Sequence, residues 1–313
     1  MKTRDVIALA LASLWSLSSW AQDPIAGKQV HKDRVFLQDY SIKYHTPLKT
    51  ANGYSLGSDQ NGVVQILEGN QLMKPHGGFF QYDGLLVSDK SYLPMKDKKI
   101  LGLDRYQDQL VYLTDKAVLS NAWAGVLYLS HSLVNPTAFA GGKDFNFLVA
   151  AKNKLQWLQK DKAPYSFELP GELEVLEITF DEAQNQFWLL SENDVYSFSP
   201  ENQSLNKAFS GEQLTALAVY PEKSQLVIGS KNGYFTYDLK SKQKSPVTEK
   251  LPWTEITAVK TGQGKVWFGT TMGAFSMDDS GKFSYYYGDR WMPGEQVKDL
   301  MVADDRTYVL TEQ

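Results

Sequence analysis

The chain has 313 residues, a formal net charge of −4 and no cysteine. The missing cysteine excludes disulfides, thiolate metal sites, thiol nucleophiles and a lipidated cysteine. Mild acidity with no basic run argues against a nucleic-acid partner.

Residues 1–21 read as a signal peptide. Lys2 and Arg4 form the charged start, Val6 to Leu17 the apolar core, and Ser19-Trp20-Ala21 places small residues where a signal peptidase reads. That run is too short to span a bilayer, and no other stretch approaches the ~20 apolar residues of a membrane helix. The expectation is a soluble periplasmic or secreted protein that begins near Gln22 and has no membrane span. Residues 22–34 are polar and read as a flexible segment, and residues 35–313 as one domain.

Residues 35–44 are strand-like. Tyr54-Ser55-Leu56-Gly57-Ser58 with Asn61-Gly62 then opens a series of related blocks. Further copies begin at Leu85, Val111, Phe147, Phe187, Gln225, Lys265 and Arg306. Phe147 to Phe187, Gly229 to Gly269, Gly233 to Gly273 and Asp238 to Asp278 are each 40 residues apart. A fixed period of this size with strand-like text in each copy signals a repeat fold, and four short strands per copy make a β-propeller blade. Each copy reads as two strands joined by a tight turn, with Asn-Gly at 61–62 and 232–233 supplying positive φ. Apolar stretches such as Leu214–Val219, Ile256–Val259 and Val297–Val302 read as innermost strands packed on both faces. Gly281–Tyr287 reads as an outer strand. The fold class is therefore all-β, a propeller of seven four-stranded blades, with residues 72–110 irregular. Residues 296–313 supply only two strands, so the N-terminal strands at 35–44 are expected to complete the last blade and close the ring.

No linear motif names a reaction, and no catalytic residue is assigned. His31, His45, His76 and His131 show no metal-ligand spacing, and no phosphate loop or nucleophile elbow occurs. Asp278-Asp279-Ser280-Gly281 lacks the spacing of a calcium loop and reads as a turn. No metal and no cofactor is expected. The distinctive text lies in two crossovers between blades, Leu251-Pro252-Trp253-Thr254-Glu255 and Gly288-Asp289-Arg290-Trp291-Met292-Pro293-Gly294-Glu295. The candidate ligand-binding residues are Trp253, Glu255, Arg290, Trp291 and Glu295, on one face near the channel mouth. An Arg-Trp pair can stack on a sugar or clasp an acid. The competing assignment has Trp291 and Met292 filling the gap between two blades.

Trp267, Gly269, Thr270, Gly273 and Asp278 resemble the two-component-regulator propeller repeat. Gly229, Ser230, Gly233, Tyr237 and Asp238 are similar, as are Gly57, Ser58 and Gly62 in part. The resemblance implies a periplasmic sensor propeller, a stand-alone secreted one or one that precedes a catalytic domain. The kinase portion is absent from this sequence. Two functions follow as expectations. One is a binding module, sensor-like or scaffold, for a small molecule, glycan or protein. The alternative is a propeller enzyme, lyase or hydrolase, acting on a polysaccharide. Several carboxylates, or a Tyr with a His, converging on the axis would favour the enzyme, and a channel lined by apolar or scattered polar groups would favour binding.

Overall fold

Runs of four to seven apolar and β-branched residues, separated by Gly, Asn, Asp and Ser, form strands throughout the computed structural model. It describes residue 43 and residues 53–58, 64–68, 71–75, 82–87, 98–106, 109–122, 125–171, 173–303 and 306–312. Within these residues every pairing is antiparallel, and the strands group in chain order into seven sheets.

The first sheet holds β1 (Gly53–Ser58), β2 (Val64–Glu68), β3 (Gln71–Pro75) and β4 (Tyr82–Val87). The second holds β5 (Ile100–Tyr106), β6 (Gln109–Thr114), β7 (Ala117–Ala122) and β8 (Gly125–Ser130). The third holds β9 (Pro136–Gly141), β10 (Phe147–Ala151), β11 (Lys154–Leu158) and β12 (Tyr165–Glu168). The fourth holds β13 (Glu177–Asp181), β14 (Gln186–Leu190), β15 (Asp194–Ser199) and β16 (Ser204–Ser210). The fifth has three strands, β17 (Leu214–Tyr220), β18 (Gln225–Ser230) and β19 (Gly233–Asp238). The sixth holds β20 (Ile256–Gly262), β21 (Lys265–Thr270), β22 (Gly273–Asp278) and β23 (Phe283–Tyr286). The seventh has two, β24 (Val297–Ala303) and β25 (Arg306–Thr311).

The first strands of the sheets, β1, β5, β9, β13, β17, β20 and β24, pack side by side in that order, and β24 meets β1. This is a β-propeller. An apolar layer fills each junction. Trp188, Leu190 and Val195 of the fourth sheet meet Leu217, Ile228 and Phe235 of the fifth. Leu56, Val64 and Ile66 of the first sheet meet Met301, Ala303 and Leu310 of the seventh. Each such side chain, fully buried, contributes about 1.5–3 kcal/mol.

The structure corrects the blade count. Five sheets are complete four-stranded blades, against the seven expected. In the fifth sheet, Lys244 and Thr248 form only isolated bridges to Tyr237 and Tyr234. The register slips by one residue between these two bridges, so the segment around Pro246 does not form a continuous fourth strand. The seventh sheet has two strands among the described residues. The closing strand expected at 35–44 lies outside them except for Lys43, whose N–H bonds the Arg290 carbonyl at 2.7 Å.

Two repeat copies are also reassigned. Tyr54–Ser58 belongs to an innermost strand, not a second one, and Leu85–Val87 ends an outermost strand. Gly57 shares with Gly229 and Gly269 a need for close approach, which is why its text resembles theirs. A Cβ on Gly57 would lie 2.3 Å from Leu110 of the next sheet. Asn61 and Gly62 lie outside the described residues. The region 72–110, expected to be irregular, includes β3, β4 and β5.

The Ser or Thr that recurs at the end of four of the second strands has a local purpose. The hydroxyls of Thr114, Ser191, Ser230 and Thr270 each donate to the carbonyl three residues on and accept N–H groups of the hairpin turn. The turn itself differs from expectation. Lys231 and Asn232 form the loop, and only Gly233, just after it, has positive φ, at 132°. A Cβ at Gly233 would sit 2.2 Å from the Thr248 carbonyl oxygen, whereas one at Gly281 (φ 81°) meets nothing within 4 Å. Both glycines occupy strained backbone, but only Gly233 also faces backbone. Gly233→Val should therefore cost about 2 kcal/mol more than Gly281→Val in urea denaturation. Equal midpoints would contradict this packing.

Candidate functional site

Antiparallel order places every crossover between sheets, and every hairpin between second and third strands, at the same end of the ring. The turns joining first to second and third to fourth strands occupy the opposite end. All five candidate ligand residues lie on the crossover face, but they fall into two groups. Trp253 packs edge-on against Tyr287 at 5.0 Å and Tyr285 at 6.3 Å. Trp291 packs edge-on against Tyr286 at 5.0 Å, with the Arg290 guanidinium 5.5 Å above the Trp291 ring. Tyr285 and Tyr286 are consecutive in β23 and so point to opposite faces of that sheet. Both tryptophans thus sit near the outer strand rather than at the channel mouth. Glu255 and Glu295 are exposed. Met292 is buried in the layer of Ala258, Ala274, Val297 and Leu300, so it fills the junction between the sixth and seventh sheets.

The crossover face is also where the fold leaves apolar side chains in solvent. Among the described residues seven large hydrophobic side chains are exposed. Six of them, Tyr54, Val134, Leu176, Val247, Met272 and Tyr287, are at this end of the ring, and only Tyr165 is at the other. Two clefts open on the same face, on either side of the hairpin loop Lys231-Asn232. One, of about 580 Å³, is lined by Glu174, Leu176, Glu192 and Lys231 among others. The second, of about 380 Å³, is lined by Glu212, Asn232, Val247 and Glu249 among others.

The axis holds a charged group that the sequence reading missed. Lys260 of β20 reaches over β17 to Glu177 of β13, Nζ to Oε1 at 2.9 Å. The other Glu177 oxygen accepts the Leu217 N–H at 2.8 Å. Asp299 of β24 accepts the Leu56 N–H at 2.8 Å, and the Ser55 hydroxyl accepts the Leu103 N–H at 3.2 Å. In each case a side chain of one innermost strand satisfies the backbone of the next. Bulges in β1, β5, β17, β20 and β24 near the crossover end break the local ladders. The N–H groups so satisfied lie on the axial edge of each innermost strand, which has no ladder partner on that side, so these side chains complete the backbone hydrogen bonding there.

Asp104 of β5 has a different environment. Burial pushes its carboxyl up to about 6, opposed by Lys260 and the Arg105 N–H, with Asp299 and Glu177 adding repulsion. Burial likewise raises Asp299, and Glu177 raises Lys260 above the ordinary lysine range. Because the folded Asp104 holds its proton more tightly than the unfolded one, stability falls as pH rises from about 4 to about 6. Asp104→Asn should therefore stabilise the protein by about 2–3 kcal/mol at pH 7.5 and have little effect at pH 4. Thermal melts at the two pH values check this, and equal gains at both would contradict it.

A signal for the axial group was present in the sequence. Asp104, Lys260 and Asp299 each place a charge in a mostly apolar innermost strand, with Arg105 and Lys298 beside two of them. Of the histidines, only His131 is described, and it is buried with Nε2 2.9 Å from the Thr114 carbonyl oxygen. Among the described residues no group of His, Asp or Glu is arranged to hold a metal ion, and no helix is long and apolar enough to cross a membrane.

No protein-family model matches the sequence, and no curated protein matches it. Solved propellers do resemble the fold. Virginiamycin B lyase from Staphylococcus aureus, solved as a catalytically inactive form with quinupristin, aligns with a TM-score of 0.66 at 13% identity, covering 86% of this chain and 95% of that one. The extracellular domain of a B. thetaiotaomicron hybrid two-component system aligns with a TM-score of 0.66 at 16% identity, over 87% of this chain and 38% of that one. The Pan2 WD40 domain of Neurospora crassa gives 0.59 at 13% identity, over 83% and 85%. At these identities the likeness shows the propeller fold and nothing finer. This chain spans little more than a third of the two-component protein chain.

Proposed function

We propose that this chain is an extracytoplasmic propeller that binds a small molecule, glycan or protein on its crossover face. The observation that carries the reading is the segregation to that face of six of the seven large hydrophobic side chains exposed among the described residues. Exposed apolar side chains gathered on one surface mark an interaction site more often than the same number scattered. The two clefts add concave surface there. Trp253, Glu255, Arg290, Trp291 and Glu295 belong to the proposed surface, as aromatic contacts and direction-setting charges. The arrangement proposed for the rest of the chain has residues 1–21 removed as a signal, a flexible segment at 22–34, and one domain from 35 in which residues 35–44 complete the seventh sheet. The resemblance of the repeat to two-component-regulator propellers, and the extracellular neighbours, agree with a sensor-like or scaffold role outside the cytoplasm.

Catalysis on a polysaccharide has one observation in its favour, the convergence of Asp104, Glu177 and Asp299 on the axis. Glu177 and Asp299, however, bond the backbone of neighbouring sheets, and Glu177 also holds Lys260. That leaves Asp104 alone with a carboxyl poised near neutral pH.

The test is a screen of glycans, metabolites and peptides against the protein from Gln22 onward. Each hit is titrated against Leu176→Ser, Met272→Ser, Tyr287→Ser and Trp253→Ala, with Tyr165→Ser as the opposite-face control. Binding weakened at least several-fold by crossover-face variants that remain folded, and unchanged by Tyr165→Ser, supports the reading. The reverse pattern overturns it.

A further inference from the structure

The two clefts repeat one chemical pattern. The first sets exposed Leu176 beside Glu174 and Glu192, and the second sets exposed Val247 beside Glu212 and Glu249. All four glutamates are exposed, and none takes part in an ion pair among the described residues. The other charges nearby can be counted. Asp194 at the first cleft is held by Lys207 at 2.7 Å. Lys231 also lines that cleft. Two lysines against three acids leave one negative charge there. Among the residues lining the second cleft, Lys244, which donates to the Ser210 carbonyl at 2.7 Å, sets one positive charge against two glutamates and again leaves one negative charge. Each cleft therefore offers one aliphatic wall and one unbalanced negative charge.

A lysine or arginine side chain matches that combination, because its methylene stem lies on apolar surface while its head seeks carboxylates. The loop Lys231-Asn232 stands between the clefts, and the Asn232 amide provides a donor and an acceptor of the kind that an extended peptide backbone uses. Resting on the crossover face being the binding face, we infer that the paired clefts dock an extended segment of a partner protein carrying two basic side chains, one in each cleft. The glutamates select the charge, and Leu176 and Val247 hold the stems.

The experiment uses fluorescein-labelled 12-residue peptides of Ser, Ala and Val with two lysines at varied spacing, and matched peptides with glutamate in place of lysine. Anisotropy is read on the protein from Gln22 onward. The expected result is binding by lysine peptides at one or two spacings, lost in 0.5 M salt, and no binding by the glutamate peptides. Glu174→Gln with Glu192→Gln should weaken binding about tenfold, and Glu212→Gln with Glu249→Gln about as much, with melting temperatures unchanged. Absence of binding at every spacing, or affinity unaffected by all four substitutions, overturns the inference. Competition by spermidine at the same concentration as unlabelled peptide also overturns it in favour of a small-cation site. A ligand that needs the crossover-face residues but ignores the four glutamates would sink this inference alone. Ligands found only on the opposite face would sink the binding-face reading as well.

Discussion

Lys260→Met should lower stability by about 3 kcal/mol at pH 7, or about 5 °C in melting temperature for a domain of this size. The ammonium sits among Glu177, Asp104 and Asp299, and removing it leaves three carboxylates facing one another across the ring. The lower end of the range for a broken buried pair applies, because 39% of the Lys260 side chain and 24% of Glu177 stay reachable by solvent. The folded lysine has a raised pKa, so at neutral pH its contribution is complete; it fades above about 10.5 as the lysine loses its proton, and in acid as the carboxylates around it gain theirs. Glu177→Gln keeps an acceptor for the Leu217 N–H while removing charge. Added to Lys260→Met, it should recover about 1–2 kcal/mol, as expected for coupled neighbours. A Lys260→Met variant as stable as the parent would show that the axial charges do not hold the sheets together.

Deleting residues 22–45 should have a still larger effect. The seventh sheet has two strands among the described residues, which leaves β25 with an unpaired edge unless another segment covers it. Lys43 already reaches the ring through its bond to the Arg290 carbonyl. If residues 35–44 supply the missing strands, their loss removes half a blade and opens the ring. The cost would be comparable with the whole stability of a domain, about 5–15 kcal/mol. The truncated protein should then lose its cooperative melt and associate through the open edge. A truncation that melts like the intact protein and stays monomeric would mean that another segment closes the ring.

The repeat made the architecture legible, because glycine spacing records steric events that recur in each sheet. Gly229 and Gly269 lie where the next innermost strand presses in. A Cβ at either would meet Ile256 or Val297 at 2.5 Å. Asp238 and Asp278 repeat because each carboxylate caps the turn after a third strand, accepting N–H groups two to four residues on. The same logic misled at Tyr54–Ser58. A close approach there also demands Gly57, but in an innermost strand, and the sequence does not say which neighbour presses. The incomplete fifth sheet turned on a one-residue slip between Lys244 and Thr248, which is visible only once the strand beside them is known.

The candidate site was legible in part. Crossover position placed Trp253, Glu255, Arg290, Trp291 and Glu295 on one face, since connectivity alone decides that. Their division by β23 was not readable, because it depends on which of three consecutive tyrosines each tryptophan meets. The axial group joins residues 83 apart, Glu177 and Lys260, and no local pattern encodes such a contact. The clefts depend on Glu174 and Glu192 approaching one another from a crossover and a hairpin, which spacing alone could not reveal.

Amide hydrogen exchange of the protein, with and without a ligand obtained from the screen, tests the binding face most directly. Protection should concentrate in the hairpins at 191–194, 231–232 and 271–272 and in the crossovers at 169–176, 211–213, 249–255 and 287–296. The turns at 182–185, 221–224, 239–243 and 279–282 should exchange as before. Protection confined to those turns, with the hairpins and crossovers unchanged, would place the binding face at the other end of the ring.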